Sequence, residues 1–129
     1  MSALVIDTSS WIAFFADGSG DGIIEPALEE GTVYLPPLVA SELLSGRMGE
    51  RARGELEGFL STLPLCRTDV GHWFRVGRLR SSLAAKGVSI STPDAHVAQC
   101  ALDLGAALLT ADAIFGLVAR HARLTLLKS

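Results

Sequence analysis

Short apolar runs alternate with stretches of helical spacing along this chain, a pattern that predicts an α/β domain on a mostly parallel sheet. Ala3–Ile6 reads as a buried first strand. A helix carrying Trp11, Ile12, Phe14 and Phe15 follows, with Ser9 or Ser10 as its cap. After the flexible break Gly18–Gly22, a short helix is expected over Ile23–Glu30 and a small strand over Val33–Leu35. Pro36-Pro37 suits the first turn of a helix through Leu44, which Ser45-Gly46 stops.

The same reading predicts a helix over Arg51–Leu63 and a third strand over Leu65–Arg67. A long helix capped by Asp69 should run to Ala85, and Ser91-Thr92-Pro93 opens another that reaches Leu104. Ala107–Leu109 is a fourth strand, a brief helix follows Asp112, and Leu124–Leu127 is the last strand. With 129 residues, 49% of them hydrophobic, and no repeat or linker, one domain over 1–129 is expected.

Cys66 and Cys100 stand without a CxxC pair or a neighbouring His couple, which points to buried free thiols rather than a zinc site or a disulfide. No stretch approaches the ~18 apolar residues of a membrane span, and the start lacks a basic leader; a cytoplasmic protein is the expectation.

Four acids stand out. Asp7 directly follows the first strand, and Asp112 comes shortly after Leu109. Ligands of open parallel sheets bind beyond the carboxyl ends of the strands, so both acids can face one crevice. Each also has a plain reading as a helix cap. Asp94 shares a helical stripe with Val97, Ala98 and Ala101, while His96, Gln99 and Asp103 form what reads as the solvated face. A carboxylate on the buried side is costly unless it is paired or binds metal. Glu42 follows Leu38 and Val39 on its stripe and points inward, although its neighbours Leu43 and Leu44 leave an exposed orientation open.

Four carboxylates without a balancing Lys or Arg need a cation, and hard oxygen ligands select magnesium or manganese over zinc. Such a site polarises a phosphate and suits phosphodiester hydrolysis. The net charge of −3 is unusual for a nucleic-acid binder, but setting those four aside from 14 acids leaves 10 against 11 Lys and Arg. Nine of the 11 are Arg; Arg47, Arg51 and Arg53 cluster, as do Arg75, Arg78, Arg80 and Lys86. These clusters permit phosphate binding, and equally suit solvated helix faces. Phosphate loops, GxGxxG and GxSxG elbows are absent from the sequence.

The fragments Leu4-Val5-Ile6-Asp7-Thr8-Ser9, Pro37-Leu38-Val39-Ala40-Ser41-Glu42-Leu43-Leu44, Thr92-Pro93-Asp94-Ala95-His96-Val97-Ala98 and Leu108-Leu109-Thr110-Ala111-Asp112 occur in that order. With them the chain resembles PIN-domain ribonucleases, and more narrowly the toxins of VapBC-type toxin–antitoxin pairs. The resemblance implies a three-layer α/β/α fold and magnesium- or manganese-dependent cleavage of single-stranded RNA. Asp7, Glu42, Asp94 and Asp112 would then bind the metal and carry catalysis, with Thr8, Ser9 and Thr110 as polar supports. It also implies a homodimer silenced by an antitoxin, with Trp11, Phe14 and Phe15 lining the partner groove or simply packing the core. The family often has a further acid two residues past the last one; here that place holds Ile114, which favours a one-ion resting site.

Two rivals are carried. A non-toxin PIN-like domain would process or bind RNA, and would slow no cell growth. A phosphatase with Asp7 as nucleophile would want an acid two residues on, where this chain has Ser9.

Overall fold

A computed structural model describes residues 2–128. Its sheet contains β1 (Leu4–Ile6), β2 (Val33–Tyr34), β3 (Ala107–Leu109) and β4 (Thr125–Leu127), ordered β2-β1-β3-β4 with every pairing parallel. β1 and β3 are buried on both faces, which is why Leu-Val-Ile and Ala-Leu-Leu read as continuous apolar runs. Leu65–Arg67 contributes only a single bridge, Leu65 to Leu35, in place of the expected third strand. Pro64 precedes that bridge and Leu65 is exposed, so little holds the ladder beyond it.

The helices are α1 (Thr8–Asp17), α2 (Asp21–Glu30), α3 (Pro37–Leu44), α4 (Glu50–Leu60), α5 (Val70–Ala84), α6 (Thr92–Leu104) and α7 (Ile114–Ala119). From β1 the chain moves outward to β2, then reverses to β3 and continues to β4. Right-handed crossovers therefore put α2 on one face and α6 with α7 on the other, making three layers. The reversal leaves a crevice beyond the ends of β1 and β3, the place where such sheets bind ligands.

Caps set several of the helix boundaries. Asp7, rather than Ser9 or Ser10, caps α1: its side chain accepts from the Ser10 amide. Asp69 and Ser91 cap α5 and α6 in the same way. Gly18 and Gly105 end their helices in the left-handed conformation, φ 77° and 62°, which a side chain would strain.

α6 departs from its expected polarity. Every residue from Ala95 to Cys100 is buried, including His96 and Gln99, which the helical stripe placed on a solvated face. The cause is that α6 packs on β1 and β3 on one side and against α5, α3 and α7 on the others. No helix among the described residues is long and apolar enough to cross a membrane.

Candidate active site

Asp7, Thr8, Ser9, Ile12, Glu42, Asp94, Val97 and Asp112 line one cleft of about 240 Å³ at the sheet's reversal point. The four sequence-predicted acids thus come together from four elements: the β1 end, α3, α6 and the β3 end. No lysine or arginine lines the cleft, and none of the four acids forms an ion pair among the described residues.

Asp7 is the most rigidly held. It is buried, and its Oδ1 accepts from the Ser10 amide at 2.9 Å and the Ser9 hydroxyl at 3.3 Å. Its Oδ2 accepts from the buried Thr110 hydroxyl. Thr110 Oγ1 in turn accepts from the Asp112 amide at 3.0 Å, so one hydroxyl ties the β1 end to the β3 end. Asp112 Oδ1 accepts from the Ile114 amide at 3.0 Å, which aims the chain into α7.

Glu42 is exposed rather than inward-pointing, since α3 lies at the rim of the cleft. Thr8 secures it by donating from Oγ1 to Oε1 at 2.7 Å. Asp94 is half-buried in the first turn of α6. Burial pushes its carboxyl above the ordinary carboxylate range; the Ser91 hydroxyl opposes this, and the charges of Asp112, Glu42 and Asp7 raise it further. Three acids thus act on a fourth, a repulsion that a cation in the cleft would relieve.

The donor set suits a hard divalent ion. Every side-chain donor in the cleft is an oxygen, and Glu42 Oε2 and Asp112 Oδ2 take no hydrogen bond among the described residues. No histidine or cysteine lines it.

The basic clusters behave unevenly. Arg75 forks onto Asp103, Arg80 donates to the Ile90 carbonyl, and Arg53 donates to the carbonyls of Leu44 and Met48. These three hold the fold together. Arg51 pairs with Glu55, whereas Arg47, Arg78 and Lys86 have no hydrogen-bond or ion-pair partner among the described residues. The aromatic stripe of α1 also divides: Trp11 is core, stacked on Phe15 and edge-on to Phe59, while Phe15 is 47% exposed.

A feature that sequence reasoning missed lies behind the cleft. His72 and His96 are both fully buried and share a 2.8 Å contact between Nε2 and Nδ1. Cys100 Sγ lies about 4 Å from the His96 ring, so a His couple does sit beside a buried thiol. Cys66 beside it and burial push the Cys100 thiol up, and both cysteines are free. The signal was the one-turn spacing of His96 and Cys100, hidden because His96 was assigned to the wrong face.

The sequence matches the PIN domain family over residues 4–121. The chain belongs to the PIN domain family. Its fold is that of chains in toxin–antitoxin crystal structures. It is 22% identical to a chain of VapBC2 from Rickettsia felis bound to a promoter DNA fragment, with TM-score 0.80 and 98% of each chain covered. It is 21% identical to a chain of DNA-bound VapBC from Salmonella typhimurium, with TM-score 0.80, 99% of this chain and 98% of that one. A toxin–antitoxin complex from Klebsiella pneumoniae gives 23% identity, TM-score 0.65, and coverage of 87% and 88%. No curated relative matches the chain.

Proposed function

We propose that this chain is a magnesium- or manganese-dependent endoribonuclease that hydrolyses phosphodiester bonds in single-stranded RNA, and the toxin of a type II toxin–antitoxin module. The observation that carries the chemistry is the convergence of Asp7, Glu42, Asp94 and Asp112 on one cleft with no basic residue to balance them. Membership of the PIN family and the shared fold of VapBC chains support the biological role. On this reading the chain is a single cytoplasmic domain, works as a homodimer, and is silenced by a cognate antitoxin.

The four acids would hold the ion. When bound, it would supply Lewis-acid polarisation of the scissile phosphate and neutralise charge developing there. The chain's own contribution is preorganisation. Ser9, Ser10 and Thr110 fix both oxygens of Asp7, and Thr8 fixes one oxygen of Glu42. Ile12 and Val97 add apolar side chains to the lining of the cleft. Asp94, whose carboxyl is raised by burial and by its acidic neighbours in the metal-free protein, is the acid whose charged form a bound cation would relieve most. Arg47, Arg78 and Lys86, without a side-chain partner among the described residues, are among the cations that could receive the RNA backbone.

The test is cleavage of single-stranded RNA by partner-free protein with magnesium, manganese or EDTA. Cleavage should require the ion and vanish in Asp7→Ala and Asp94→Ala. Persistence in EDTA, or in both variants, overturns the metal-site reading. A metal-dependent ribonuclease that leaves growth unaffected on expression would overturn the toxin role and keep the chemistry.

A further inference from the structure

α3, which carries Glu42, begins without a side-chain cap of its own. Pro36 occupies the N-cap and Pro37 the first helical position, so neither supplies a capping side chain. The amides of Val39 and Ala40 turn back to the Pro36 carbonyl at 2.9 and 3.3 Å. The Leu38 amide is left, and its partner comes from 58 residues away: it donates to His96 Nε2 at 3.5 Å.

A backbone amide only donates, and that fixes every proton behind it. His96 Nε2 must be bare, so the His96 proton sits on Nδ1 and is donated to His72 Nε2 at 2.8 Å. His72 therefore carries its own proton on Nδ1, which faces Asp103 Oδ2 at 3.3 Å. Asp103 is anchored by Arg75, whose Nη2 donates at 2.9 Å, and by Gln99, whose Nε2 donates at 2.7 Å. The Trp73 ring stacks on His96 at 4.9 Å between centroids and 12° between planes, which locks the imidazole's tilt.

All four imidazole nitrogens are thus used once. This argues against a metal among His72, His96 and Cys100, although their ligand atoms lie within 4.8 Å of one another. An ion at His96 Nδ1 would move the ring proton to Nε2, where it would confront the Leu38 N–H.

We propose that His96 is a positioning residue for the metal site: it caps α3 from α6 and so sets Glu42 against Asp94. His96 lies two residues after Asp94, and Leu38 lies four residues, about one turn, before Glu42. One imidazole therefore spans the two helices that bring these acids to the cleft. His72 and the Asp103–Arg75 pair maintain the tautomer that makes the cap possible, in the manner of the outer groups that orient metal ligands. This inference rests on the carboxylate quartet being the metal site.

The test measures manganese binding to the full chain by calorimetry, without RNA. His96→Leu should weaken binding by about tenfold, the usual scale for an outer-shell loss. His96→Gln, whose amide oxygen can reach the Leu38 amide, should restore most of it. Val118→Ala, a buried cavity on α7 away from this network, should lower Tm with manganese affinity unchanged. If His96→Leu binds manganese like the wild type while Asp94→Asn does not, the positioning role is overturned and the quartet stands. If the wild type and Asp94→Asn bind equally, the quartet itself fails and takes the inference with it. Should His96→Leu not fold, nitrogen-15 shifts of the wild-type histidines decide: a proton on His96 Nε2 overturns the proposal, and one on Nδ1 supports it.

Discussion

Thr110 donates its hydroxyl to Asp7 across 103 residues of sequence while accepting the Asp112 amide. Two of the four acids are therefore positioned by one side chain at the junction of β1 and β3.

Thr110→Val keeps the shape and removes both bonds. It leaves Asp7 Oδ2 buried without that donor, which should cost about 1–3 kcal/mol of stability in metal-free protein. Manganese affinity and RNA cleavage should each fall roughly tenfold. Thermal melts, calorimetry and single-turnover cleavage check this; unchanged manganese affinity would show that Thr110 is only structural.

Asp94 yields a prediction of opposite sign. Its carboxyl titrates above the ordinary range in the folded protein, so its charged form destabilises the fold at neutral pH. Asp94→Asn should raise Tm in EDTA. In the wild type, magnesium or manganese should raise Tm by binding the folded state, and the variant should lose most of that rise. A lower Tm for Asp94→Asn in EDTA would contradict the crowded-carboxylate picture.

Acid should loosen the protein through His96. Burial, with the neighbouring His72, pushes its folded-state pKa down to about 4 from the ordinary 6.5. Between those values the unfolded chain takes up a proton that the folded chain refuses, so stability is present above about pH 6.5 and declines toward pH 4. Asp94 contributes oppositely in the acid range, and Asp103, pushed up by burial but held low by Arg75, Gln99 and His72, loses stability as it protonates. The informative quantity is thus the difference in Tm between wild type and His96→Gln from pH 7.5 to 4.5, a range chosen to span roughly that window. It should change across the window; a constant difference would rule out His96 as the source.

The aromatic stripe of α1 should split. Trp11→Ala empties a core position that is 1% exposed and should cost about 3–5 kcal/mol. Phe15→Ser, at a 47% exposed position, should cost far less and instead weaken binding of the proposed antitoxin. Urea denaturation and a pull-down with the antitoxin separate the two.

Much of this was readable in advance for physical reasons. β1 and β3 announce themselves because buried parallel strands need unbroken apolar runs, and Asp7 and Asp112 because they follow such runs. Asp94 was legible from its stripe. For Glu42 the stripe pointed inward but left an exposed orientation open, and the exposed one is found, since periodicity cannot tell a helix at a rim from one in a core. His96 was misassigned because the stripe argument presumes one wet face, and α6 has almost none. Arg53, Arg75 and Arg80 looked like free cations, but their partners are backbone carbonyls and a distant carboxylate, which spacing does not encode. The bridge at Leu65 fell short of a strand because ladder length depends on neighbours rather than propensity.

The strand order carries a consequence for synthesis. β1 pairs with β3 across about a hundred residues, and β4 then adds beside β3. A nascent chain that has emerged through α6 already displays Asp7, Glu42 and Asp94, yet has neither the strand that brings Asp112 to them nor the threonine that fixes Asp7. Such long-range pairing forms late, because loop closure must precede its reward. On the proposed function, cleavage therefore needs β3 and Thr110 in place, and a fragment truncated before residue 107 should be inert whatever ion is supplied.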